Sequence, residues 1–146
     1  MKFEEMTLDV AQQIELKADI GDVFKSVLHR FGEGSTGSNG ESMNMILEQW
    51  PGGRWFRDRG NGVGHLWGHV QVIKPPSLLE VTGPLFMSYP AISHVQYRLT
   101  PQGQGTRLTL THRAIGEIAP EHREGVAKGW EHMLGVIKSI AEKKKS

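Results

Sequence analysis

Cysteine is absent from the 146 residues, which excludes disulfides, thiolate metal sites and a cysteine nucleophile together. No run approaches the roughly eighteen apolar residues of a membrane helix. The first residues, Met1-Lys2-Phe3-Glu4-Glu5, lack the apolar stretch of a secretory signal. A cytoplasmic protein without membrane insertion is therefore expected. A charge excess is missing too, since 17 basic against 16 acidic residues leave a formal net charge of +1. Nothing in that balance calls for nucleic acid as a partner. Lys143 to Lys145 form the one basic run, which a solvated helix end explains. Also missing are a Gly-x-Ser-x-Gly elbow and a Ser, His and acid arrangement. Glu48, Asp58 and Glu80 read as isolated, solvated acids rather than the close pair that carboxylate chemistry requires.

What the chain does have is a regular succession of short periodic segments. Its length suits a single domain, 1–146, that buries roughly two thirds of its unfolded surface. Val10, Gln12, Ile14 and Leu16 alternate with polar residues as a first strand over Asp9 to Lys17. Asp19 is the expected cap of a helix carrying Val23, Phe24, Val27, Leu28 and Phe31, which Gly32 stops. Gly32 to Glu41 has the composition of a flexible connection, a flap. Strands are then expected over Ser42 to Trp50, Arg54 to Arg59, Val63 to Lys74 and Leu78 to Thr82. An apolar loop, Gly83 to Pro90, precedes the last two, Ile92 to Thr100 and Thr106 to Ala114. Val95, Tyr97 and Leu99 share one face of the first of these, and Leu108, Leu110 and His112 one face of the second. Pro120 opens a final helix with Val126, Trp130, Met133, Leu134, Ile137 and Ala141 as its apolar stripe. The order strand, helix, six strands, helix predicts an α+β fold in which an antiparallel sheet of about seven strands curls around the C-terminal helix.

Chemistry-bearing residues concentrate on those middle and late elements. Trp50, Trp55 and Trp67 lie on or beside the middle strands and Trp130 on the last helix. Their flat apolar faces with one N–H suit a cavity wall, and suit ordinary core packing as well. His65, His69, His94 and His112 fall on strands. On a strand the spacing of His65 and His69 separates them by about 13 Å, so no metal site is expected from that pair. His112 closes an inward face, either as a polar anchor or general base in a cavity or as a satisfied core histidine. Gly125 and Gly129, one turn apart in the last helix, fit close packing on the sheet or room for a ligand.

These pieces together resemble a known family. Gly52-Gly53 with Trp55 behind it, Gly68-His69-Val70 leading to Pro75-Pro76 and Leu78-Leu79, Gly105 through His112, and Gly129-Trp130 followed by Leu134 are similar to the START-like, or SRPBCC, helix-grip superfamily. Within it they resemble the group around the C-terminal domain of the heat-shock-protein ATPase activator homologue. The resemblance runs from about Asp9 to Glu142, and the first helix departs from it by ending in His29-Arg30-Phe31-Gly32, where many relatives carry tryptophans. It implies a seven-stranded sheet gripping the last helix around a cavity for an apolar or amphipathic small molecule, with polyketide cyclases among the relatives. The expected wall is Trp55, Trp67, Tyr97, Leu110, Trp130 and Met133, with His69 and His112 as polar anchors and Phe86 on the mouth loop. No cofactor is expected. The alternatives are a cofactor-independent cyclase or dehydratase with His112 as base, and a chaperone-regulating or homodimeric interaction module.

Overall fold

The computed structural model describes residues 2–37 and 39–143. A single 3-10 turn, Phe3–Met6, leads into strand β1, Thr7–Leu16, and helix α1, Ile20–Phe31. Six strands follow: β2 Met45–Leu47, β3 Arg54–Asp58, β4 Gly64–Lys74, β5 Leu78–Gly83, β6 Ala91–Gln102 and β7 Gly105–Gly116. Helix α2, Pro120–Lys143, completes the order. The strands form one antiparallel sheet in the sequence β1-β7-β6-β5-β4-β3-β2, so the first strand closes beside the last. The expected seven-stranded α+β architecture with its long C-terminal helix is the one the chain adopts.

Alternation along β6 and β7 builds the inner face. Tyr97 pairs with Leu110 and Val95 with His112, and these side chains are buried together with Leu99 and Leu108. Across the sheet lies α2, whose Val126, Trp130, Leu134, Ile137 and Ala141 are buried. Each large apolar side chain removed from water contributes about 1.5–3 kcal/mol. Polar ties fix the helix against β1: Gln12 Nε2 donates to Ala127 O at 2.7 Å and Lys138 Nζ to Glu15 O at 2.8 Å. Asp19 caps α1 by accepting from the Asp22 N–H, as the sequence suggests, and Gly32 ends it.

Two expectations change. The strand expected over Ser42 to Trp50 shrinks to Met45–Leu47, because Asn44 takes a left-handed φ of 53° and Trp50 already belongs to the turn that its carbonyl closes with Gly53 N–H. In the Gly32 to Glu41 connection Gly37 N–H donates to Glu41 O, and Met43 N–H just after it donates to Ser35 O. Ser38 within that connection, and Lys144 and Lys145 of the basic run, lie outside the described residues. Glu80 is not an isolated acid, since it accepts from Gln96 Nε2 at 2.8 Å and meets His94 Nε2 at 3.1 Å. No helix among the described residues is long and apolar enough to cross a membrane.

Strand β4 carries the irregularity that matters most for function. Trp55 pairs with Gly68 but Phe56 pairs with Leu66, so Trp67 is an extra residue in a β-bulge. Gly68 is required there, because a Cβ would stand 2.5 Å from Thr82 O; across from it Gly83 has a φ of 153°. The bulge shifts the alternation of the strand by one residue.

Candidate functional site

Between the curled sheet and α2 is a cavity of about 310 Å³. Trp130 and Met133 wall it from the helix, Trp55 from β3, Trp67 from the bulge of β4, and Phe86 from the β5–β6 loop. Their rings continue one another at close range. Phe31 meets Trp55 at 4.7 Å between centroids, Trp55 meets Trp67 edge-on at 5.1 Å, Trp67 meets Phe86 at 6.0 Å, and Phe86 meets His122 at 5.5 Å. Such tilted and edge-to-face pairs are favourable beyond the area they bury. At the mouth, Tyr89 stacks on His122 and its Oη lies 2.8 Å from His122 Nδ1, tying the β5–β6 loop to the first turns of α2. Phe86 is 38% exposed and Glu121 is open to solvent, so this end faces outward.

Of the residues expected on the wall, Trp55, Trp67, Phe86, Trp130 and Met133 surround this one space. Tyr97, Leu110 and His112 do not line it. They are fully buried in the layer behind, covered by Phe31, whose ring meets that of Tyr97 edge-on at 5.1 Å between centroids, and by Trp130. His69 is exposed, which corrects its assignment as an inward anchor: the extra residue at Trp67 turns His69 outward while Trp67 and Val70 stay inside. Gly125 and Gly129 do not mediate close packing either. A Cβ on either would meet nothing within 4 Å, and both border the cavity.

The polar groups of this interior fall into two kinds. His112 is closed off. Trp130 Nε1–H donates to His112 Nδ1 at 2.9 Å, and His112 Nε2 lies 2.8 Å from Ser93 Oγ. An indole can only donate, so Nδ1 must accept and the proton sits on Nε2, donated to Ser93. Burial pushes the imidazole down to about 4, which keeps it neutral. With both nitrogens committed, it has no lone pair free to serve as a base toward the cavity. Trp55 is likewise satisfied, its Nε1–H donating to Phe31 O at 2.8 Å.

Arg30 and Trp67 are the other kind. Arg30, in the last turn of α1, is 8% exposed and lines the cavity. Its Nε has no hydrogen-bond partner among the described residues, and no carboxylate there lies within ion-pair distance. Burial lowers its pKa from the ordinary arginine value, although a guanidinium stays charged. Trp67 Nε1 is also buried without an acceptor among the described residues. Arg30 and His122 were not among the expected site residues. Arg30 had a signal, lying seven residues after Val23 and three after Val27 on the buried stripe of α1. His122 had none, since its partner comes from a loop.

With this geometry in place, the family model for activator of Hsp90 ATPase homolog 1-like protein matches residues 27–142. The chain belongs to that family. The matched stretch contains every lining residue from Arg30 to Met133, so the cavity is built within the family's own domain. No curated protein sequence matches the chain. Among solved structures, an uncharacterized protein from Rhizobium leguminosarum is similar with a TM-score of 0.72 and 17% identity, over 94% of this chain and 95% of that one. CalU16 from Micromonospora echinospora is similar with a TM-score of 0.61 and 19% identity, over 95% and 78%. The di-domain ARO/CYC StfQ of the steffimycin biosynthetic pathway gives a TM-score of 0.69 at 12% identity, covering 98% of this chain and 53% of that one. Identities this low establish a shared fold for this member of the activator-like family, and no shared chemistry.

Proposed function

We propose that this chain is a single-domain binding protein that holds a small apolar or amphipathic molecule between its sheet and α2. The observation that carries this reading is the aromatic-walled cavity of about 310 Å³, reached past Phe86 and Glu121. A space of that size with few polar groups is the ordinary form of a small-molecule site. The exposed glycines of α2 support it, because helix-destabilising residues stand where larger ones would narrow the entrance. The structural likeness to a domain of StfQ keeps a cyclase-type activity in view. His112 as its base loses support, since both ring nitrogens are engaged.

The test compares the protein, purified gently from its native host, with a Gly125→Trp variant that occludes the entrance. Mass spectrometry of the small molecules released on denaturation is expected to find a stoichiometric apolar or amphipathic compound in the first and to lose it in the second. If both are empty, and a panel of apolar ligands gives no thermal stabilisation, the binding reading fails and a partner-binding module replaces it.

A further inference from the structure

Burying a cation without a counter-charge is costly, and proteins offset that cost with a paired anion. Arg30 is a buried cation on the wall of an apolar cavity whose Nε has no partner among the described residues. Its neighbourhood contains the phenol of Tyr97, which burial holds in its neutral, protonated form. Glu121 lines the same cavity but sits exposed at the mouth and forms no ion pair with Arg30. Trp67, whose buried Nε1 has no acceptor among the described residues, borders the same space. Both unmet groups are donors. Everywhere else around the cavity the polar atoms of the large aromatics are paired within the protein, as Trp55 and Trp130 show.

From this pairing of a charged and a neutral orphan donor we infer that the ligand carries an anionic oxygen head, a carboxylate or the oxygen of an acidic enol or phenol, received by Arg30 and Trp67. Its apolar body lies against Trp55, Trp130 and Met133. The inference rests on the binding reading above and adds the charge of the ligand to it. The guanidinium supplies the charge and the directed N–H groups that suit an oxyanion, and the indole N–H fills a remaining lone pair. Because Arg30 is buried beside aromatic walls, such a bond is worth more there than at a surface.

The test uses probes of matched shape, one of each pair charged and the other neutral: naphthoate against naphthamide, and octanoate against octanamide, titrated by calorimetry at neutral pH. The anion of each pair is expected to bind at least about tenfold more tightly, as a charge-assisted hydrogen bond implies. Arg30→Gln is expected to weaken the acid at least about tenfold more than the amide, erasing the preference between them, and Arg30→Lys to retain part of it. If acid and amide bind the wild type equally and Gly125→Trp abolishes both, the cavity reading stands and this inference is overturned. Equal weakening of acid and amide by Arg30→Gln overturns it too. If no probe binds at all, the cavity reading itself falls and takes the inference with it. The wild-type comparison needs no variant, so it stands even where Arg30→Gln does not fold.

Discussion

Two sets of polar groups inside this molecule have opposite fates. At His112 every donor and acceptor is matched: Trp130 gives to one ring nitrogen and Ser93 takes from the other. At Arg30 and Trp67 the donors are buried with nothing to give to among the described residues. Polarity inside an apolar core thus has two meanings. The closed cluster fixes α2 onto the sheet, and the open one is where an outside molecule would complete the bonding. The sequence pointed to His112 and passed over Arg30, since a histidine on an inward face suggests chemistry more readily than an arginine at a helix end.

The contrast is sharpest in stability. His112→Ala leaves the Trp130 N–H and Ser93 hydroxyl unpaired and opens a void, and is expected to cost about 3 kcal/mol in urea unfolding. Arg30→Met removes a desolvated charge that no carboxylate offsets, so stability should stay level or rise by up to about 2 kcal/mol. A comparable loss in both would erase the distinction.

Acid should act on the closed cluster. His112 has a folded pKa of about 4, below its unfolded value of about 6.5. Between those values the unfolded chain binds more protons, so its contribution to stability is complete above about pH 6.5 and is lost as pH falls toward about 4. The loss amounts to about 3 kcal/mol at most. His112→Gln should flatten this part of the stability curve. A variant with an unchanged slope would assign the acid sensitivity elsewhere.

Two indoles make a smaller comparison. Trp130→Phe removes a paired donor and strands His112 Nδ1, at an expected cost of about 1–2 kcal/mol, whereas Trp67→Phe removes an orphan and should change stability by less than about 0.5 kcal/mol. On the same helix, Gly129→Ala should stabilise α2 by about 1 kcal/mol or less in thermal unfolding, because a Cβ there meets open space. Destabilisation would mean that the helix packs more closely at that face than the open geometry allows.

The fold was legible because it follows from periodicity. Val95, Tyr97 and Leu99, and the α2 stripe around Trp130, declare their buried faces through spacing alone. The site was half legible. Trp55, Trp67, Phe86, Trp130 and Met133 could be picked as large apolar groups on the right elements, and they meet at the cavity. Three things were hidden. The bulge that turns His69 outward depends on Gly68 meeting β5, a contact between strands that no local pattern encodes. The closure of His112 depends on Ser93 and Trp130, from two other elements. Arg30 had the spacing of a buried residue but the chemistry of an exposed one, and chemistry outweighed spacing.

The most direct test of the two-cluster account is the set of four indole N–H signals in a nitrogen–proton NMR spectrum of the protein, assigned by single Trp→Phe variants and followed while octanoate, which has no ring current, is added. The account predicts that the Trp67 signal moves downfield and exchanges more slowly with water as it gains an acceptor. Those of Trp55 and Trp130, already bonded within the protein, should move far less, and that of exposed Trp50 not at all. A Trp67 signal that stays in place while Trp130 shifts would contradict it, and would return the functional centre to His112.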